Sequence, residues 1–286
     1  MGYWTGNPTG RPGVGFGETD DGITWRALPP PRFEAGAPHG ECGAVERIGE
    51  KYYMLLGSGG KMLALVADKP EGPFRPTAKN VCVLAGHTYF ARFFPSPDGL
   101  LLNHHAIARN GQVSFGMLKR AVVDTDGALR LKWWQGNDRL QQKPLTLAAP
   151  HSAPAVSPRI LSSNFDAATG IVLEGQIQLP TSPEAPRAGI YLPWEADSGT
   201  AILVGRAGVT EIGPIRADGT GFKCESRVDR EFAFPDSCRF RLVVCGSLLE
   251  FYLDDHLIDC HSLPQNSTGQ VGLIHAEAIL NLKAWR

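Results

Sequence analysis

Glu41 is the residue around which the chemistry of this chain can be organised. It opens the run Gly40-Glu41-Cys42-Gly43-Ala44-Val45-Glu46-Arg47-Ile48, and Gly49-Glu50-Lys51 then turns the chain into Tyr52-Tyr53-Met54-Leu55-Leu56. Apolar residues on both sides of a glycine-containing turn read as a hairpin. A carboxylate at the start of its first strand stands where sites on β scaffolds are assembled, and it can give or take a proton. Glu46, five residues on, is expected on the opposite strand face, in solvent. In the aromatic run Thr88-Tyr89-Phe90-Ala91-Arg92-Phe93-Phe94, Arg92 supplies a fork of donors, and Tyr89 offers a flat apolar face to a ligand. His104 and His105 are neighbours on one strand and point to opposite faces, so they cannot share a metal. One of them, taken as His104, is expected to line the same cavity.

The elements that would position these groups are strands. The segments Gly17 to Arg26, Val66 to Arg75 and Val122 to Arg130 each place an acidic-glycine turn after a short apolar strand, with the glycines at 22, 72 and 127. A period of about 50 residues filled with short strands is what a β-propeller blade looks like in sequence. Residues 1–140 are therefore expected to form about two and a half blades of a five-bladed type, beginning at the second strand of a blade with Tyr3-Trp4. Because a propeller closes with about four blades or more, either the missing ones lie upstream of Met1, or the chain pairs with another chain, or the repeat packs as an open array of sheets. Residues 141–158 carry four prolines and read as a semi-rigid linker. From 159 to 286 the spacing changes: Ile171 to Leu179, Ala188 to Leu192, Ala201 to Val204, Phe240 to Val244, Leu248 to Leu253 and Ile279 to Trp285 read as strands of a β-sandwich. The fold class is all-β, a partial propeller followed by a sandwich.

Composition narrows the partners. With 28 basic and 29 acidic residues the chain has no cationic footprint for nucleic acid or an anionic membrane, and no apolar run reaches the ~18 residues of a span. A neutral polar ligand fits this balance. The six cysteines show no C-x-x-C spacing, so no metal and no cofactor is expected, and most thiols should be packed, with a disulfide possible among the four C-terminal ones. The N-terminus lacks a basic region followed by an apolar one, which leaves the compartment and the oligomeric state open.

Glu41-Cys42 entering a strand, after the Asp21-Gly22-Ile23-Thr24-Trp25 turn and before Tyr52-Tyr53-Met54-Leu55, resembles the third-blade segment of the family 32 glycoside hydrolases, the invertases, inulinases and levanases. The tail, from Arg241-Leu242-Val243-Val244 through Leu249-Glu250-Phe251-Tyr252-Leu253 to Asn281-Leu282-Lys283-Ala284-Trp285, resembles their sandwich. The resemblance implies a retaining hydrolase of fructosides or related furanosides, with Glu41 as general acid/base and Arg92, Tyr89 and His104 as substrate-binding residues. Such a mechanism needs one carboxyl kept protonated and a second, ionised one about 5 Å away. The family's Asn-Asp-Pro and Arg-Asp-Pro motifs, which carry the other carboxylates, do not occur in this sequence, and Gly43-Ala44 stands where Pro-Asp usually follows the Glu-Cys pair. The nucleophile is accordingly expected upstream of Met1. A second class of function is a non-catalytic carbohydrate-binding protein. A third is a sialidase-type propeller, because Glu18 to Trp25 approximates the Ser-x-Asp-x-Gly-x-Thr-Trp turn, with Asp20 and Gly22 expected to make it.

Overall fold

A computed structural model describes residues 1–6, 13–147, 158–161, 165–166, 169–182, 184–264 and 266–286. It is all-β, and the helices among the described residues are short 3-10 turns. The chain divides into two compact units, Met1–His105 with Met117–Leu131, and Ala106–Gly116 with Lys132–Arg286.

In the first unit, strands β1 (Gly2–Gly6), β2 (Gly13–Glu18) and β3 (Arg26–Leu28) form a three-stranded antiparallel sheet. The next sheet is built from β4 (Glu41–Ile48), β5 (Lys51–Ser58) and β6 (Lys61–Ala67), with β7 (Arg75–Pro76) and β8 (Cys82–Leu84) both pairing with β6. Then come β9 (Thr88–Ser96), β10 (Gly99–Ile107), β11 (Val113–Phe115), β12 (Lys119–Val123) and β13 (Leu129–Trp133), in which β10 pairs with β9, β11 and β12, and β11 falls in the second unit. This succession of small antiparallel sheets is that of propeller blades. The three repeat glycines, Gly22, Gly72 and Gly127, all have the left-handed backbone that their turns require, with φ of 75°, 85° and 81°.

The core of the unit lies between sheets. Met54 and Leu56 of β5 and Leu65 and Ala67 of β6 pack with Val14 and Phe74, and Tyr3 and Phe33 close over them. Tyr53 and Leu55, which point the other way along β5, are buried as well. A strand covered on both faces shows a continuous apolar run rather than alternation, which is how Tyr52 to Leu56 reads in sequence. Removing a side chain as large as Met54 from such a place costs about 2–5 kcal/mol.

The second unit contains a run of strands continuing from β13 and a separate six-stranded sheet. One runs β14 (Pro144–Leu145), β25 (Ile279–Trp285), β16 (Ile171–Gln178), β21 (Ser237–Cys245), β22 (Leu248–Leu253), β23 (His256–Ser262), where Lys132 of β13 stands opposite His256. The other runs β15 (Arg159–Leu161), β24 (Val271–Ile274), β17 (Ala188–Pro193), β18 (Ser198–Val204), β19 (Thr210–Arg216), β20 (Ser226–Val228). Strands β19, β20, β23 and β24 are absent from the sequence reading. For β23 the reason is plain: His256, Asp259, His261 and Ser262 are buried along with Leu257, Ile258 and Cys260, so polarity does not alternate. Of the proline-rich stretch 141–158, residues 148–157 lie outside the described residues, while Pro144 and Leu145 pair with Trp285 and Ala284. Cys82, Cys224, Cys238, Cys245 and Cys260 are thiols.

Charges inside the sandwich are paired. Arg241, nearly buried, donates from Nε to Glu174 Oε1 at 2.5 Å and from Nη1 to Asp255 Oδ1 at 2.8 Å, with its guanidinium 4.1 Å from the Trp133 ring centre. Asp259 of β23 accepts the Ser226 hydroxyl at 2.6 Å, and burial pushes its carboxyl up from 3.8 to about 6. The folded protein therefore holds a proton that the unfolded chain releases near 3.8, so stability from this group is full at acid pH and falls as pH rises from about 4 through about 6. Asp259→Asn is expected to flatten that fall and to stabilise the protein near pH 8 by roughly 1–3 kcal/mol, read by urea denaturation across pH. A loss of stability that grows as pH rises would show that the charged form is the one the fold favours.

Candidate functional site

Glu41 is exposed at the first position of β4 and stands directly opposite Gly57 of β5. A Cβ at Gly57 would lie 3.4 Å from Cε2 of Tyr89 and 3.7 Å from the Glu41 carbonyl oxygen. Directly opposed residues project to the same face of a sheet, so the Tyr89 ring occupies the face onto which Glu41 projects. Glycine at 57 leaves the room between them. Two residues that the sequence reading selected are thus brought together.

The β4 strand reaches this place through a bulge. Cys42 pairs with Leu56 and Ala44 with Leu55, leaving Gly43 as the extra residue. A Cβ on Gly43 would sit 2.8 Å from Met62 Cε and 3.0 Å from the Ala91 carbonyl oxygen, so only glycine lets β4 come this close to β9. The bulge also moves Glu46. It now opposes Tyr53, four ladder positions from the Glu41–Gly57 pair, which puts it on the same face as Glu41 and not the opposite one expected of a regular strand. At about 3.3 Å per position the two carboxylates are still roughly 13 Å apart. Glu46 is half-buried, accepts the Arg47 backbone N–H and is no partner for a two-carboxylate reaction.

Beyond Tyr89 the chain departs from strand geometry. Phe90 has φ of 47°, an uncommon conformation for a bulky residue. Consecutive strand side chains point to opposite faces; the left-handed turn at Phe90 cancels this, and the Tyr89 and Phe90 rings meet edge to face with centroids 4.2 Å apart. The Arg92 guanidinium lies 5.3 Å from the Phe90 ring centre, and its Nη1 donates to the Ala91 carbonyl at 3.1 Å. His105 packs its ring 5.7 Å from Phe90 on the same cluster. His104 is buried completely, with Nδ1 3.1 Å from the His105 carbonyl oxygen. The histidine that meets the aromatic cluster is therefore His105.

On the other side of Glu41, a cavity of about 210 Å³ is lined by Gly13, Pro30, Phe33, Pro38, His39 and Gly40, among others. The sequence reading passed over His39, although its position two residues before Glu41 was a usable signal. The arrangement as a whole is an exposed carboxyl on the face of the Tyr89 ring, with Phe90, Arg92 and His105 clustered next to that ring.

The turn from Thr19 to Thr24 is held by Asp21 and not by Asp20. Its Oδ1 accepts the backbone N–H groups of Ile23 and Thr24 at 2.8 and 2.7 Å and the Thr19 hydroxyl at 3.0 Å. These bonds, those from Thr24 and Ile23 foremost, hold its carboxyl down at about 2. The residue closes a loop and is fully occupied in doing so.

No protein-family description matches the chain and no curated protein is similar to it in sequence. Solved structures are similar in fold. The sucrose-6-phosphate hydrolase of Lactobacillus gasseri superposes with a TM-score of 0.65 at 14% identity, over 97% of this chain and 61% of that one. A GH32 β-fructofuranosidase of Bombyx mori gives 0.64 at 10% identity, over 96% and 60%. The exo-inulinase of Aspergillus awamori gives 0.61 at 11% identity, over 95% and 61%. This chain spans about three fifths of the length of these enzymes. At such identities the likeness establishes the fold, propeller blades followed by a sandwich.

The close approach at Gly43 can be measured. Gly43→Ala is expected to cost about 1–3 kcal/mol, because the new methyl must displace the Ala91 carbonyl or Met62. Chemical denaturation reads the loss; an unchanged midpoint would mean that β4 and β9 are free to separate.

Proposed function

We propose that this chain is a β-fructosidase-like glycoside hydrolase component that takes a carbohydrate at the Glu41 end of β4, with Glu41 as proton donor to the leaving oxygen of a fructoside or related furanoside. The observation that carries the reading is the shared face of Glu41 and Tyr89 at the start of β4, opened by Gly57. The fold likeness to sucrose-6-phosphate hydrolase, β-fructofuranosidase and exo-inulinase supports the substrate class. A sugar has an apolar face, which an aromatic ring covers, and a rim of hydroxyls, which arginine and histidine can bond. Tyr89, Phe90, Arg92 and His105 are of these types. Glu41 is exposed and within reach of a ligand lying on the Tyr89 ring, so it can protonate a glycosidic oxygen as the bond breaks. The reaction also requires an ionised carboxylate about 5 Å from the acid, a role that Glu46 is too distant to fill.

That requirement sustains a second reading, a carbohydrate-binding protein without hydrolysis, which needs only the stacking and hydrogen-bonding groups of the Tyr89, Phe90 and Arg92 cluster. The two are separated by measuring binding and turnover of sucrose with the same protein. Under the hydrolase reading, Glu41→Gln lowers sucrose hydrolysis by a factor on the order of 10² or more, and that of an aryl fructoside, whose leaving group needs less protonation, by much less. Tyr89→Ala weakens sucrose binding about tenfold in either case, through the lost stacking face. Equal hydrolysis by parent and Glu41→Gln proteins would remove Glu41 from the mechanism. Binding without turnover in a parent protein that supplies an ionised carboxylate beside Glu41 would select the second reading.

A further inference from the structure

The second unit holds a cavity of about 550 Å³ that uses none of the residues around Glu41. Its size lies in the range of about 300–1,000 Å³ typical of small-molecule sites. Three chain segments build it. The β10–β11 turn brings Arg109, Asn110, Gln112 and Ser114; the β21–β22 turn brings Ser247; and the loop after β23 brings Asn266. Each segment is fixed by its own bonds. Ala108 N–H donates to the Gln112 carbonyl at 2.8 Å and Gly111 N–H to the Ala108 carbonyl at 2.9 Å, closing the first turn. Leu263 N–H donates to the Ser247 carbonyl at 2.8 Å, tying the second segment to the third.

The lining chemistry selects the ligand. Arg109 is the one charged side chain among the described lining residues, and it is already paired with Glu225, so the cavity has little net attraction for an anion. The remaining polar groups are side-chain amides and hydroxyls, which donate and accept in equal measure. Asn110 Oδ1 accepts the Gln112 backbone N–H at 3.0 Å, which fixes that amide so that its NH₂ is the end left to a ligand. A surface of neutral amides and hydroxyls with both capacities matches a ligand whose every hydroxyl also has both. Apolar Leu263 and Pro264 supply a dry patch for its carbon face. We infer that this cavity binds a neutral oligosaccharide. The inference does not depend on Glu41 having a catalytic role.

Cys245, exposed on the cavity wall, gives a direct readout, and Cys224, also an exposed thiol in the same unit but outside the lining, serves as the internal reference. The whole chain is alkylated with iodoacetamide in the presence of kestotriose, maltotriose or inorganic phosphate, and each thiol is followed by peptide mass spectrometry. Either trisaccharide, at up to about 20 mM, is expected to slow alkylation of Cys245 at least about threefold and leave Cys224 unchanged. Gln112→Ala with Asn266→Ala is expected to weaken this protection about tenfold through the lost hydrogen bonds. Should that double variant fail to fold, Ser114→Ala is expected to weaken it in the same direction. Glu41→Gln should leave the protection as it was. No protection by either trisaccharide, protection by phosphate alone, or protection that vanishes in Tyr89→Ala would each overturn the assignment, the last by locating the sugar at the Glu41 end.

Discussion

The backbone of β4 lies against that of β9 because Gly43 has no side chain, and the candidate site follows from that approach. With Gly43 bulged and its Cα turned toward the Ala91 carbonyl, the strand that starts at Glu41 is held beside the strand that carries Tyr89, Phe90 and Arg92. A second glycine, Gly57, leaves open the space between the acid and the Tyr89 ring. Left-handed Phe90 then brings two consecutive rings onto one cluster. Backbone strain of this kind costs of order 1–3 kcal/mol and persists where the surroundings over-determine it. Here the Tyr89 ring, a guanidinium and an imidazole contact the Phe90 ring, which stays partly exposed.

The sandwich is stabilised differently. Its large sheet buries charged and polar side chains in pairs: Arg241 with Glu174 and Asp255, and Tyr252, whose hydroxyl donates to Glu250 at 2.5 Å. Breaking one member of such a pair leaves an uncompensated buried charge, typically at a cost of 3–5 kcal/mol. Burial beside Glu250 drives the Tyr252 phenol well above its ordinary value, so it stays a neutral donor at any physiological pH. These paired groups act on the stability of the sheet. The cavity between the 108–112 and 246–247 turns differs in that its amides face open space.

Local chemistry decided what the sequence made legible. The turns at Gly22, Gly72 and Gly127, the hairpin around Gly49-Glu50 and the apolar runs of β5, β16 and β22 each depend on a few adjacent residues, so their positions follow from residue types alone. From these came the all-β class and the choice of Glu41 and Tyr89. The rest was decided by partners distant in sequence. The bulge at Gly43 exists because of Ala91 and Met62, nearly 50 and 20 residues away, and it alone puts Glu46 on the face of Glu41. Nothing in the pair His104-His105 says which is buried; packing decided that His105 meets Phe90. Asp20 and Asp21 are identical in type, and only the fold of the loop delivers the amides of Ile23 and Thr24 to Asp21. Strand β23 escaped notice because a strand buried on both faces, polar residues included, has no period to read. Side-chain type is a property of the chain, whereas face, burial and partner are properties of the pairing between strands.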